Sequence, residues 1–140
     1  MSMLWTEQLS IGNAMLDDEH RAMIGIVNEI GGAFKSRDAS NLRRTLERLE
    51  DYAAMHFAHE EMIARAVKFP FELHQSEHLY LQQELQYIKD QLTGMDGLWS
   101  DGAAKHFTNF LGRWVIDHIA GKDMQMKPVL ETYPRDFKVA

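Results

Sequence analysis

The sequence predicts an all-α protein, an antiparallel up-down-up-down four-helix bundle with an N-terminal loop. Four segments carry apolar residues at alternating spacings of three and four, which is the pattern of one buried helix face. Only short turn-like stretches separate these segments, and short connections place consecutive helices side by side in opposite directions. A chain of 140 residues is long enough to bury one core. We therefore expect a single domain over residues 1–140, with helices at about 14–36, 40–67, 71–93 and 101–121.

The first half of the chain predicts two helices joined by the turn RDAS. In the first helix the expected buried positions are Leu16, His20, Met23, Val27, Ile30 and Phe34. Ser40 is the expected N-cap of the second helix, because a serine hydroxyl can accept a hydrogen bond from the first turn. The second buried face comprises Leu42, Leu46, Leu49, Ala53, His56, Glu60, Ile63 and Val67. Both faces therefore include polar residues among the apolar ones.

The second half predicts two more helices, one after VKFP and one after GMDGLWSD. Pro70 suits the start of the third helix, since proline is favoured at the first helical position. The third buried face comprises Phe71, His74, His78, Leu81, Leu85, Ile88 and Leu92. Asp101 is the expected N-cap of the fourth helix, and Gly121 and Pro128 mark the end of this helix. Its buried face comprises Ala104, Phe107, Leu111, Trp114 and His118.

The charge and composition disfavour several classes of protein. The formal net charge is -6, which argues against a nucleic-acid partner because phosphate binding needs clustered lysines and arginines. No apolar run is long enough to cross a bilayer, and the N-terminus MSMLWTEQLS does not read as a secretory signal. We therefore expect no membrane insertion and a cytoplasmic protein. Because the chain has no cysteine, any metal site must use histidine and carboxylate ligands.

The polar residues on the four buried faces are expected to meet at one level. Residues equidistant from the centre of a turn lie at the same height on two antiparallel helices, because each residue advances a helix by ~1.5 Å. The turn centres fall near positions 38, 67 and 98. The pairs related by these centres are His20 with His56, His56 with His78, Glu60 with His74, and His78 with His118. Five imidazoles are thus expected in one layer of the bundle.

A metal centre would explain why these groups are buried together. Without partners, each buried polar group would cost ~1–3 kcal/mol, and metal coordination removes that cost. The pairs His56/Glu60 and His74/His78 are both spaced four apart, so each pair projects from one helix face. Five nitrogens and up to two carboxylates exceed the ligands of a tetrahedral zinc ion and suit two octahedral ions that share bridges. The sequence therefore favours a dinuclear iron site.

Asp123 is the second candidate carboxylate, and its position requires a local distortion. It lies five residues after His118, which is about 140° around an ideal α-helix. We therefore expect the helix to widen or end near Gly121, so that the carboxylate turns inward. The two remaining histidines, His59 and His106, lie off the buried faces and are expected to face solvent.

Five segments together resemble the hemerythrin family, and the single-domain bacteriohemerythrins in particular: Trp5, IGNAMLDDEH, HFAHEE, HQSEH and WVIDHIAGKD. The resemblance covers almost the whole chain and implies two iron ions (Fe2+/Fe3+) joined by an oxo or hydroxo bridge. The implied metal ligands are His20, His56, Glu60, His74, His78, His118 and Asp123. The implied grouping is His74, His78 and His118 on one iron, His20 and His56 on the other, and Glu60 and Asp123 as bridges.

The same resemblance implies reversible dioxygen binding, for carriage, storage or delivery, rather than enzymatic catalysis. The two-histidine iron would keep one position open, where dioxygen binds and where small anions or nitric oxide would also fit. The implied pocket comprises Met23, Phe57, Trp114, Val115 and Ile119. Two positions depart from the usual family pattern: Glu19 precedes the first ligand where glutamine is frequent, and Val115 stands where a larger leucine is usual.

Other classes of function are compatible with these residues. The same di-iron site would serve an oxygen, redox or iron sensor, or a protein that handles nitric oxide or iron. Relatives that resemble iron-repair proteins tend to carry an N-terminal cysteine module, so the absence of cysteine argues against that variant. A further alternative is a bundle that recognises a protein partner and uses metal as a structural staple. The sequence names no such partner.

Overall fold

The computed structural model describes residues 3–139, apart from the side chains of Leu73 and Thr93. The expected all-α four-helix bundle is confirmed. Its long helices are α1 (Ala14–Ser36), α2 (Ala39–Ala66), α3 (Glu72–Thr93) and α4 (Asp101–Asp117). The shorter elements are a 3₁₀ turn (Glu7–Leu9), a π-helical turn (His118–Lys122), a second 3₁₀ turn (Asp123–Met126) and α5 (Lys127–Leu130). None of the described helices combines the length and the apolar character that crossing a bilayer would require.

The helices pack as the short connections predict. Helix α1 lies against both α2 and α4, and α2 lies against α3. The apolar residues separate into two buried clusters rather than one. The larger cluster includes Met23, Leu46, Leu85, Leu111 and Ile119, and the smaller includes Ile11, Leu16, Ile63, Met126 and Leu130. Helices α1 and α2 each contribute to both clusters, so a layer of other residues lies between the clusters along these two helices.

Two of the expected helix caps are wrong by one or two residues. Asp38, not Ser40, caps α2: its backbone is extended and its carboxylate accepts a hydrogen bond from the Asn41 N–H at 3.0 Å. Ser100, not Asp101, caps α4 in the same way. In both cases the extended residue before the helix carries the acceptor, because only a non-helical backbone places the side chain over the first-turn N–H groups.

The N-terminal loop is fixed to the start of α1 by a buried carboxylate. Asp17 is fully buried and accepts hydrogen bonds from the Ser10 hydroxyl at 2.5 Å and from the Ile11 N–H at 2.9 Å. The guanidinium of Arg135, near the other end of the chain, lies 3.4 Å from the same carboxylate. Both terminal segments therefore depend on one residue in the first turn of α1.

Replacing Asp17 by Ala should lower the free energy of unfolding by about 1–3 kcal/mol, because the Ser10 hydroxyl and the Ile11 N–H would lose their buried acceptor. The matched control is Asp18→Ala: Asp18 is exposed and forms an ion pair with Arg21 on the helix surface, so its loss should change the stability by less than about 0.5 kcal/mol. Urea unfolding of the two variants measures both values. Equal stability of the two variants would show that Asp17 does not anchor the loop.

Candidate metal centre

The layer between the two apolar clusters contains the seven predicted ligands. Helix α1 supplies His20, α2 supplies His56 and Glu60, α3 supplies His74 and His78, and the segment after α4 supplies His118 and Asp123. All seven are buried, and the most exposed of them, His78, retains 6% of its accessible surface. Helix periodicity accounts for the histidines and Glu60, which lie on the buried faces of their helices, whereas Asp123 reaches the layer through the turn after α4.

Five of these residues form a tight cluster. One nitrogen or oxygen atom from each of His20, His56, Glu60, His118 and Asp123 lies within 4.8 Å of the others. Asp123 Oδ2 lies 2.7 Å from His20 Nε2 and 2.8 Å from His118 Nε2. Glu60 Oε1 lies 2.6 Å from His56 Nε2. Three imidazoles thus converge on one oxygen from each carboxylate.

The second oxygen of each carboxylate faces the opposite side, towards α3. Glu60 Oε2 lies 2.9 Å from His78 Nε2, and Asp123 Oδ1 lies 3.9 Å from His74 Nε2. The Nε2 of His74 also lies 2.8 Å from the carbonyl oxygen of Lys122. Each carboxylate therefore presents one oxygen to each of two groups of histidines, which is the arrangement that a bridging carboxylate requires.

The position of His118 differs from the grouping that the family resemblance implies. That grouping joins His118 to His74 and His78, but in the structure its Nε2 lies on the side of His20 and His56. The reason is direct pairing, because the carboxylate oxygens within 3.3 Å of His118 Nε2 are Asp123 Oδ2 and Glu60 Oε1. The ring of His118 nevertheless lies 5.3 Å from that of His78, so it stands between the two groups.

The predicted distortion after α4 is confirmed as a π-helical turn over His118–Lys122. The N–H of Asp123 donates to the carbonyl oxygen of His118, five residues earlier. A wider turn of this kind stacks residues five apart, whereas an α-helix would separate them by about 140°. Both side chains consequently point into the same layer. Single π-helical turns are frequent at functional sites for this reason.

The donor atoms of the layer fit a metal ion better than they fit one another. Among the described residues, several buried nitrogens and oxygens have no hydrogen bond although they face each other at short distances. They are His56 Nε2, His78 Nε2, His118 Nε2, Glu60 Oε2 and Asp123 Oδ1. Unpaired buried polar atoms are rare in proteins because each costs free energy. Imidazole and carboxylate donors in this number suit iron, and the chain has no cysteine to offer a thiolate.

The charges in the layer shift the pKa values of its members in opposite directions. Burial lowers the pKa of His118, but the charges of Asp123 and Glu60 outweigh burial and raise it from 6.5 to about 9. Burial also lowers the pKa of His56. The charge of Glu60 is the largest of the effects that outweigh burial and hold this pKa well above its usual value. The pKa of Glu60 is well below its usual value, because the charges of His56 and His118 outweigh the effect of burial. The pKa of Asp123 is lowered overall: burial and the charge of Glu60 raise it, while the charge of His118 and its hydrogen bond lower it.

The five residues predicted to form the oxygen pocket are all buried in the larger apolar cluster beside the layer. The ring of Phe57 stacks on that of His78 with centroids 3.9 Å apart and lies 5.1 Å from that of His118. Trp114 packs near Phe57 at 6.5 Å and donates its indole N–H to the carbonyl oxygen of Leu81. The other three members are Met23, Val115 and Ile119, each fully buried.

The expectation that His59 faces solvent is wrong. Its side chain is only 33% exposed, and its Nδ1 lies 2.5 Å from Glu19 Oε2, while Glu19 Oε1 lies 2.8 Å from His56 Nδ1. The available signal was the spacing of three between His56 and His59, which places both on neighbouring faces of α2. His106, by contrast, is exposed as expected.

The metal-free protein, prepared by chelation, should lose stability at alkaline pH. Because the pKa of His118 is raised to about 9 from 6.5, its stabilising contribution is complete below pH 6.5 and is lost as the pH rises through about 9. The lowered pKa values of Glu60 and Asp123 have the opposite effect. Their contribution to the free energy of unfolding is present at neutral pH and is lost in acid. Urea unfolding at pH 6 and pH 9.5 tests the loss of stability at alkaline pH. Equal or greater stability at pH 9.5 would contradict the assigned charges, and the metal-loaded protein should show a weaker pH dependence.

Replacing His118 by Ala should lower the iron content of protein purified from iron-rich medium, because the layer loses a donor shared by both carboxylates. A drop of about tenfold or more in metal affinity is expected from the loss of one ligand. His106→Ala is the matched control, since His106 is an exposed histidine on α4, the helix that leads into the turn containing His118. Elemental analysis of both variants measures the effect. An unchanged iron content in His118→Ala would remove His118 from the set of ligands.

Comparison with known proteins agrees with this geometry. Residues 11–130 match the family described as hemerythrin HHE cation binding domain. A bacteriohemerythrin of Stenotrophomonas maltophilia is 26% identical over 97% of this chain and 89% of its own length. A hemerythrin-like protein of Naegleria gruberi is 28% identical over 90% of this chain and 92% of its own. A crystal structure of a hemerythrin with one leucine substituted superposes on this chain with a TM-score of 0.80 and is 24% identical in sequence. The match covers 94% of this chain and 99% of the other, so the two proteins share the fold. The chain therefore belongs to the hemerythrin family.

Proposed function

We propose that the protein binds dioxygen reversibly at a di-iron centre and serves in oxygen carriage, storage or delivery in the cytoplasm. One observation carries the proposal: each of two buried carboxylates presents one oxygen to one group of imidazoles and its second oxygen to another. Two carboxylates in that orientation fit two metal ions side by side. When bound, two ferrous ions supply the reversible two-electron chemistry that dioxygen binding and release require.

The bridging roles proposed for Glu60 and Asp123 follow from their positions. The proposed division of the histidines is the one that the family resemblance implies, which groups His118 with His74 and His78 although its Nε2 lies on the side of His20 and His56 in the structure. Glu60 and Asp123 bridge the two ions, His20 and His56 hold one ion, and the three remaining histidines hold the other. Neutral imidazoles outnumber carboxylates among these ligands, so the site carries little negative charge and favours the ferrous state. That balance supports reversible binding rather than the oxidation of a substrate, and we accordingly propose a binding protein and not an enzyme.

The apolar residues beside the layer are proposed to keep water, anions and reductants away from the open position. Phe57 stacks on the ring of His78, and both side chains line a surface groove of about 560 Å³ between α2 and α3. Trp114, Val115 and Ile119 are buried in the same apolar cluster as Phe57, on α4 and the π-helical turn. A pocket that excludes water slows the loss of electrons to solvent species.

Reversibility is tested by following the visible spectrum of the iron-loaded protein through repeated cycles. A sample reduced without oxygen should change colour in air and return to the reduced spectrum when it is degassed. Several complete cycles would support carriage or storage. Irreversible oxidation without an oxygenated spectrum would overturn the proposal and favour a sensor or a protein that handles nitric oxide or iron.

Glu60→Gln provides a variant of nearly the same size for the same cycles. An amide nitrogen cannot act as the second bridging oxygen, so the coupling between the two ions should weaken and the oxygenated spectrum should be lost. If this variant keeps its iron content and an unchanged oxygenated spectrum, Glu60 is not a bridge.

A further inference from the structure

Three hydrogen-bonded side chains, His59, Glu19 and His56, link the protein surface to the proposed metal centre. Glu19, on α1, lies between two histidines of α2: its Oε1 is 2.8 Å from His56 Nδ1, and its Oε2 is 2.5 Å from His59 Nδ1. The carboxylate is buried, with 8% of its side chain exposed, while one third of the His59 side chain reaches solvent. Each carboxylate oxygen of Glu19 thus lies within hydrogen-bonding distance of a ring nitrogen of one histidine.

This contact determines which nitrogen of His56 is free to bind a metal. An ionised carboxylate only accepts hydrogen bonds, so the proton of a neutral His56 must sit on Nδ1, facing Glu19. The lone pair then lies on Nε2, which faces Glu60 Oε1 at 2.6 Å inside the layer. Partners of this kind fix both the tautomer and the ring orientation of histidine ligands.

His56 is distinguished from its neighbours by this support. The Nδ1 atoms of His20 and His118 are buried without a hydrogen-bond partner among the described residues. Of the three imidazoles that converge on Asp123 Oδ2 and Glu60 Oε1, His56 alone is therefore held at its outer nitrogen by a described side chain. The half of the site that contains His20 and His56 is also the half for which an open position is proposed.

Glu19 needs a second contact to serve as a fixed partner. A glutamate side chain has three rotatable bonds, and a single hydrogen bond leaves its carboxylate free to rotate about that bond. His59 supplies the second contact from the same helix as His56, three residues later, so both contacts are made to one rigid element. Glu19 also affects Tyr52, which lies one turn before His56 on α2. Burial is the largest cause of the raised pKa of Tyr52, and the charge of Glu19 raises it further.

We propose that His59 is a positioning residue of the metal centre: it holds Glu19 in place, and Glu19 holds His56 in the orientation and tautomer that metal binding requires. The inference rests on the metal centre proposed above but adds a residue outside the seven ligands. Among the described residues, the hydrogen bond of the His59 ring is made to Glu19 and not to any of the seven ligands, so its side chain acts through the carboxylate. Its effect should therefore appear at His56 and not at the other histidines.

The test uses zinc, which is diamagnetic, as the probe metal. Long-range ¹H–¹⁵N spectra of the zinc-loaded protein should show His56 protonated at Nδ1, with slow exchange of that proton with water. In His59→Ala the exchange should become at least several-fold faster and zinc affinity, measured by competition with a chromophoric chelator, should fall by up to about tenfold. His59→Asn should restore both values, because its amide nitrogen can donate to Glu19 from nearly the same place. His106→Ala, which changes an exposed histidine outside the layer, should leave both values unchanged.

The outcomes separate this inference from the proposed function. If the unaltered protein takes up neither zinc nor iron, the metal centre itself is wrong and the inference falls with it. If the unaltered protein is loaded normally and His59→Ala shows the same exchange and the same zinc affinity, the positioning role is wrong and the proposed function stands. Equal losses in the Ala and Asn variants, together with a lower unfolding temperature, would identify a packing role and would also overturn the inference.

Discussion

The structure depends on one constraint, the burial of two carboxylates inside a helical bundle. An isolated buried carboxylate is too costly to persist as a charged group, so Glu60 and Asp123 require positive partners on every side. The bundle meets this requirement by directing histidines from α1, α2, α3 and the π-helical turn after α4 at the same layer. The opposed pKa shifts of His118 and Glu60 are the direct consequence, since the charges of Asp123 and Glu60 raise the pKa of His118 and the charges of His56 and His118 lower that of Glu60.

The rest of the fold is arranged around this layer. Apolar residues form one cluster on each side of it, and each long helix contributes to packing on at least one of these sides. The polar layer is therefore held by hydrophobic burial above and below, and need not contribute net stability itself. Because the apolar clusters stabilise the fold, the donor atoms of the layer can be arranged for metal binding rather than for stability. Metal uptake must displace protons from the imidazoles, so binding is coupled to the same charges that hold the metal-free layer together.

Much of the site was predictable because helix geometry is regular. A period of 3.6 residues assigns each side chain to a face, and antiparallel pairing assigns it a height, so the convergence of His20, His56, His78 and His118 follows from residue numbers. The π-helical turn was predictable for the same reason, because Asp123 could not share a face with His118 on a regular helix. The caps at Asp38 and Ser100 were misplaced, since neighbouring polar residues in a turn are equally able to cap and the local backbone decides between them.

The sequence by itself therefore determined the fold class, the buried faces and the level at which seven polar residues meet, because these depend on periodicity along single helices. Only the tertiary structure decided the pairings between side chains: Glu19 between His56 and His59, Asp17 beneath the N-terminal loop, and His118 on the side of His20. Such pairings depend on side-chain rotation and on the approach of two helices. Neither quantity is encoded in residue spacing, and both are fixed only when the helices are packed.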